Sequence, residues 1–458
     1  MASYGDFDTL VGALKRSAID AWMRDEMQFP LDGDHYELSS SGDSFKVTRP
    51  DTNGKGGGDW EASDWSFAKL FGVDRDDEFT SGMDGVRQKI DDLVNPWRNL
   101  PDPTEVGVIV ESCRQMTRRL SGAAASDGGV ASGAGDLASY LKLVEQNASA
   151  MSGETIAAYK AKFLVQLGQA IGGFHAISVV RGADIAAQQA LWTEARKNVA
   201  NILDNARKTM DAIAEGGSLS WKETLTVVGT AAKGVGIFAT GGLSVAIEVA
   251  SLGIEVLSDA AGEDSAEKDV PSGGYNDAMG GLESTLKALN TQITTEEERV
   301  NENLTTNMAN IRNDKTSYDL TQPPISSSDG VIVLTRSLVD EITNSYMPAI
   351  ATELEAIASI GLDCSTYSAV SRDGAIGIGQ SGPSGNISEL NWLLFELVKS
   401  LGEEVRLGAR NLELAVASLE HYDQTTADEL ADIAKKVEDG SVYDPWNVPE
   451  ERFRGGHI

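Results

Sequence analysis

Cysteine, histidine and aromatic residues are scarce in this chain of 458 residues, and bases are outnumbered by acids, 38 to 70. The two cysteines, Cys113 and Cys364, lie in opposite halves of the sequence with no C-x-x-C pair or His/Cys cluster beside them. That excludes a disulfide framework and a zinc site; a single bridge between them is conceivable but not expected. The four histidines, His35, His175, His421 and His457, share no metal-ligand spacing. A formal charge of −32 repels phosphate backbones and anionic headgroups, so nucleic acid and polybasic membrane docking are not expected. The opening "MASYGDFDTLVGALKRSAIDAW" has no basic start, continuous apolar run or small-residue cleavage site. Export, if it occurs, is expected by a route independent of the Sec signal.

What the chain does have is length, small residues and helical periodicity. Residues 1–100 are rich in Gly, Asp and Trp, with turn clusters such as "DTNGKGGGDW"; Phe45 and Val47 alternate like a strand, and "DGVRQKIDDLV" reads as a short helix. Three prolines, Pro96, Pro101 and Pro103, then precede a helix expected from about residue 104, with Asp102 or Thr104 as its cap. Glycine in the middle of 104–149 predicts a break or kink there.

After a Ser-Gly pair at 152–153 the pattern sharpens. Ile156, Tyr159, Phe163, Leu167, Ala170, Phe174, Ile177, Ile185, Trp192, Ala195, Val199, Ile202, Ala206 and Ile213 form a heptad-like stripe. An unbroken helix from Glu154 to Glu215 would span about 90 Å, with Gly172 and Gly173 as bending points. Further helices are expected over about 276–318, through Leu334 to Ile357 with a kink at Pro348, and from near Ser388 to about Val437.

The sequence therefore divides into an irregular α+β cap (1–100), a helical hairpin module (104–215), an apolar Gly-rich segment plus third helix (218–320), a second helical hairpin module (331–437) and a tail (438–458). The fold class read from this is mainly α, an elongated bundle in which the two hairpin modules bury each other's stripes.

"MSGETIAAYKAKF", residues 151–163, resembles the hairpin turn of the Trp-x-Gly family, the small helical-hairpin substrates of type VII (ESX) secretion. "LPDPTEV" resembles the start of their first helix, and residues 387–433 are similar to the second helix and tyrosine-containing tail of larger secreted members. The resemblance implies a hairpin turn at Met151, Ser152 and Gly153, with Met151 where the family has its indole and Tyr159 and Phe163 packing between helices. It also implies an export signal of the form Tyr-x-x-x-Asp/Glu after the second helix. Tyr422 with Asp428 comes nearest to it there, and Tyr4 with Asp8 is the strict match.

No catalytic, cofactor-binding or metal-ligating set emerges. "GIGQSG" at 377–382 fits G-x-G-x-x-G, but no strand precedes it and Pro383 follows, so it reads as a flexible inter-helix loop. His175 reads as a satisfied or half-exposed helix residue, and Glu296, Glu297 and Glu298 as a solvated face. Tyr159, Phe163, Trp192, Trp392 and Phe395 read as packing residues. The apolar stretch 235–257, including Gly236, Phe238, Leu243, Val245, Ile247, Leu252 and Ile254, is long enough to span a bilayer but carries Glu248 and Glu255.

The function expected is non-enzymatic: an ESX-like protein made in the cytoplasm and secreted or held at the cell surface. It would act as a homo- or hetero-oligomer through helix packing with small helical-hairpin proteins or with itself. Two alternatives stand beside it, a helical pore-forming toxin that inserts 235–257 into membranes, and the delivery module of a toxin without its catalytic domain.

Overall fold

The computed structural model describes residues 2–40, 43–63, 74–120, 136–217, 221–226, 265–270, 273–313 and 334–438. The apolar stretch 235–257, the expected glycine break at 121–135, the linker at 321–330 and residues 439–458 lie outside the described residues. Within them the fold is mainly α with a small α+β cap.

The cap combines helices with a small antiparallel sheet. A helix, α1 (Phe7–Asp25), precedes the antiparallel strands β1 (Leu31–Asp32), β2 (His35–Ser40), β3 (Asp43–Thr48) and β4 (Trp60–Ala62), and α2 (Asp76–Val94) follows. Phe7, Val11, Leu14, Ala18 and Ala21 recur at steps of three and four and are all buried, a helical stripe that the sequence reading passed over. Asp20 on α1 accepts from the Tyr36 hydroxyl at 2.6 Å and from Arg49 Nε at 2.9 Å, which fastens the sheet to the helix. The Arg196 guanidinium lies 4.9 Å from the Tyr4 ring and donates to the Leu100 carbonyl at 2.9 Å, tying the cap to the bundle.

The first hairpin module begins at α3 (Pro103–Leu120). Proline at the first helical position needs no N–H partner, and Asp102 accepts from the Thr104 N–H at 2.9 Å, so the start follows from "PDPT". After α4 (Leu137–Ser149), Gly153 takes φ 126° and the chain turns into α5 (Glu154–Ala158). A π-helical turn (Tyr159–Leu164) leads into the 50-residue α6 (Val165–Ala214), roughly 75 Å long. Every residue of the expected stripe from Ile156 to Ile213 is buried.

α6 is the axis of the molecule: α1, α3, α7 (Tyr275–Asn313) and the last helix, α10 (Ser384–Glu438), all pack on it. The Asp25 carboxylate at the end of α1 accepts from the Tyr275 N–H at 3.0 Å, filling an orphan donor at the start of α7. Between α6 and α7, β5 (Trp221–Thr226) pairs antiparallel with β6 (Ser265–Val270), strands the periodicity did not indicate.

The second module runs from α8 (Arg336–Glu341) through a π-helical turn (Ile342–Tyr346) into α9 (Met347–Leu362), then from a loop into α10 (Ser384–Glu438). The π turn ends two residues before Pro348, which sits in the first turn of α9, where its missing N–H costs no helix bond. α9 packs along α10 and reaches across to α3 and α4. Arg119 donates to both Glu353 carboxylate oxygens at 2.7 and 2.6 Å across that junction.

Candidate functional site

At the turn, Met151 is buried in the position the sequence assigned it, Gly153 supplies the positive φ, and Ser152 is exposed. Tyr159 and Phe163 stack with ring centroids 5.3 Å apart. The Tyr159 hydroxyl donates to Met347 Sδ at 2.8 Å, and a Cβ at Gly408 would strike the Phe163 ring. The two aromatics therefore pack module against module, not only helix against helix within one hairpin.

Several other sequence readings change. Glu297 is fully buried, not solvated: it pairs with Arg372 at 2.5 Å and accepts from the Ile378 N–H at 3.0 Å. Arg372 also donates to the carbonyls of Ile376 and Val370, both at 3.2 Å, and its guanidinium carbon lies 4.6 Å from the Trp192 ring. The "GIGQSG" loop is thus wrapped around a charged pair rather than free. Gly377 (φ 64°) and Gly382 (φ 52°) leave room where any Cβ would collide with Glu297. A charged side chain reaches the core there because a partner and two backbone carbonyls replace its water.

His175 is buried, with no partner for Nδ1, and its pKa falls to about 4 because burial disfavours the cation. It belongs to a line of buried polar residues on the inner face of α6: His175, Ser178, Arg181, Asp184 and Gln188, ending at Trp192. Burial pushes Asp184 up to about 8, and its Oδ2 has no partner. Single polar residues in an apolar stripe leave little trace in periodicity, which is why the sequence did not reveal the line.

Tyr422 and Asp428 both fall within α10, not after it. Trp392 is the reverse of a core residue: it is 57% exposed, stacked on Phe395 at 5.3 Å. On the same outward face of α10 stand Leu407 and Leu414, 47% and 59% exposed, spaced 15 and 22 residues from Trp392 and so within about 60° of it around the helix. Glu396, Lys399, Glu403 and Arg410, also exposed, interleave with them.

One helical stretch among the described residues, Thr155–Ala214, is long and apolar enough to cross a membrane by length and composition. It is the core helix of the bundle, covered by α1, α3, α7 and α10. The described residues form a helical bundle in which α10 carries exposed apolar side chains on its outward face. Compared with known protein families, curated proteins and solved structures, the chain matches none.

Proposed function

We propose that this chain is a non-enzymatic helical protein that acts by packing α10 against a helix of a second copy or of a small helical-hairpin protein. The observation that carries the reading is the outward face of α10, where Trp392, Leu407 and Leu414 stand solvated on one side with charges of both signs between them. Such a face gains stability only when another apolar face covers it, and the interleaved charges set the register of the partner. The resemblance of residues 151–163 and 387–433 to type VII (ESX) substrates supports placing the protein among large substrates of that system, secreted or surface-held by a Sec-independent route.

Light scattering during gel filtration of the full chain, alone and with a helical-hairpin partner, tests it. The wild type is expected to associate, and the double variant Leu407→Lys, Leu414→Lys to melt unchanged while associating about tenfold or more weakly. A chain that stays monomeric at every concentration and binds no hairpin protein removes the proposal.

The pore-forming reading has one observation in its favour: β5 and β6 pair, which brings residues 226 and 265, on either side of 235–257, next to each other. Dye leakage from vesicles that disappears on deleting 235–257 would support it over the packing role.

A further inference from the structure

Basic side chains are the minority in this acidic chain, yet four of them line one cleft of the cap. Lys15 comes from α1, Lys55 from the glycine-rich loop after β3, Arg87 from α2 and Arg98 from the segment that follows it. Asp8 is the single acid in the wall, and the cleft encloses about 430 Å³. That lies within the range of small-molecule sites, about 300–1,000 Å³.

The stretch "DTNGKGGGDW", read from the sequence as a turn cluster, forms one side of the cleft. Gly54 has φ 71°, and a Cβ there would lie 2.7 Å from the Lys15 Cβ and 2.9 Å from the Gly12 carbonyl oxygen, so glycine lets the loop lie this close to α1. Asp51 spends its carboxylate inside the loop, accepting from the N–H groups of Asn53 and Lys55 at 2.8 and 2.9 Å. Arg87 Nε donates to the Gly54 carbonyl at 2.6 Å and Nη2 to that of Gly56, which fixes the guanidinium against the loop.

Lys15 meets Asp91 and Arg87 meets Asp84, both at 2.6 Å, and these two carboxylates stand outside the wall; Arg98 pairs with Asp8. Each pair is partly open to solvent, where an ion pair adds little stability, so the oxygens of a ligand can join the same cations. Lys55 is exposed and has no carboxylate partner among the described residues. Even with Asp8, Asp84 and Asp91 set against them, the four cations leave an excess of positive charge at the cleft.

We propose that the cleft between α1, α2 and the 51–58 loop binds a small phosphomonoester, with its phosphate held by Lys15, Lys55, Arg87 and Arg98. Ammonium and guanidinium donors converging from three sides match a tetrahedral dianion, and their charge-assisted hydrogen bonds are the strong kind. One phosphate fills only part of the space. The rest of the wall, where Thr9 and Asn53 add a hydroxyl and an amide beside Val11, suits the polar organic body of the ester. The cap would thereby carry a ligand site of its own, separate from the packing face of α10.

Titration calorimetry of the full chain with glycerol phosphate, glucose phosphate and adenosine monophosphate tests it, against inorganic phosphate, glucose and sodium chloride at matched ionic strength. At least one ester is expected to bind saturably, about tenfold or more tightly than inorganic phosphate, and to weaken as salt is raised, while glucose gives no heat beyond dilution. Lys55→Glu reverses an exposed charge, so it should melt like the wild type and bind that ester about tenfold or more weakly. Amide hydrogen exchange over 51–58 should slow in the bound state and stay unchanged over α10. The proposal falls if none of the three esters binds more tightly than inorganic phosphate. It falls equally if Lys55→Glu binds as the wild type does, or if the protected amides lie outside the cap.

Discussion

Glu297 and Arg372 come from α7 and from the glycine loop and meet as an ion pair, whereas Arg181 and Asp184 sit three residues apart on α6 and form no ion pair with each other. Both sets are buried in the same bundle. In the first, each charge is matched, and the loop carbonyls and the Trp192 face supply the remaining contacts. In the second, the cation rests on neutral partners and the acid is held protonated by burial. A helix fixes the spacing of its own residues, so two charges on one helix meet only if their rotamers allow it; two elements that move independently during folding can bring charges face to face. The matched set is a clamp for the loop, and the unmatched one leaves a carboxyl, Asp184, that titrates near pH 8.

That contrast can be broken most severely at Arg372. Arg372→Met leaves Glu297 buried and alone, with an expected loss of about 3–5 kcal/mol in urea unfolding; adding Glu297→Met should restore most of it. If the single and double variants are equally unstable, the pair is not a clamp. Next in size is Gly377→Ala, which places a Cβ at φ 64° against Glu297 and should cost about 1–3 kcal/mol, while Gly374→Ala in the same loop, where open space surrounds the Cβ, should cost far less. Equal effects at the two glycines would argue against tight wrapping of the loop.

The smallest effect sharpens the other side. Asp184 has a folded pKa of about 8 against 3.8 for the free group, so folding takes up a proton between those values. Its contribution to stability is full below about pH 4 and is lost as pH rises towards 8. His175 works in the opposite sense, since a folded pKa near 4 costs stability as pH falls below 6.5. Between pH 6.5 and 8 the Asp184 share of stability falls by about 1–2 kcal/mol as pH rises, read as the difference in melting between the wild type and Asp184→Asn. Asp184→Asn should remove that part of the slope. An unchanged slope would mean the carboxyl is already ionised in the fold.

Much of the architecture was legible from residue spacing. Leu282, Leu286, Leu289, Ile293, Val300, Leu304, Met308 and Ile311 predicted α7 and are all buried in it. The hairpin turn was legible because Gly153 marks a backbone conformation that other residues resist. The helix of the cap was readable too, in Phe7, Val11, Leu14, Ala18 and Ala21, but short apolar steps among many polar residues are easily passed over. Trp392 was misplaced because an aromatic at helical spacing usually faces the core, and nothing local shows which side of a long helix its neighbours cover.

By itself the sequence determined where helices run, where they turn and which stripe each must bury, because these depend on residues within a few positions of one another. Which stripes meet was decided only in three dimensions. The same is true of Glu297 finding Arg372: such a pair joins chain segments from different elements, and its energy depends on a burial that exists only once the helices have packed.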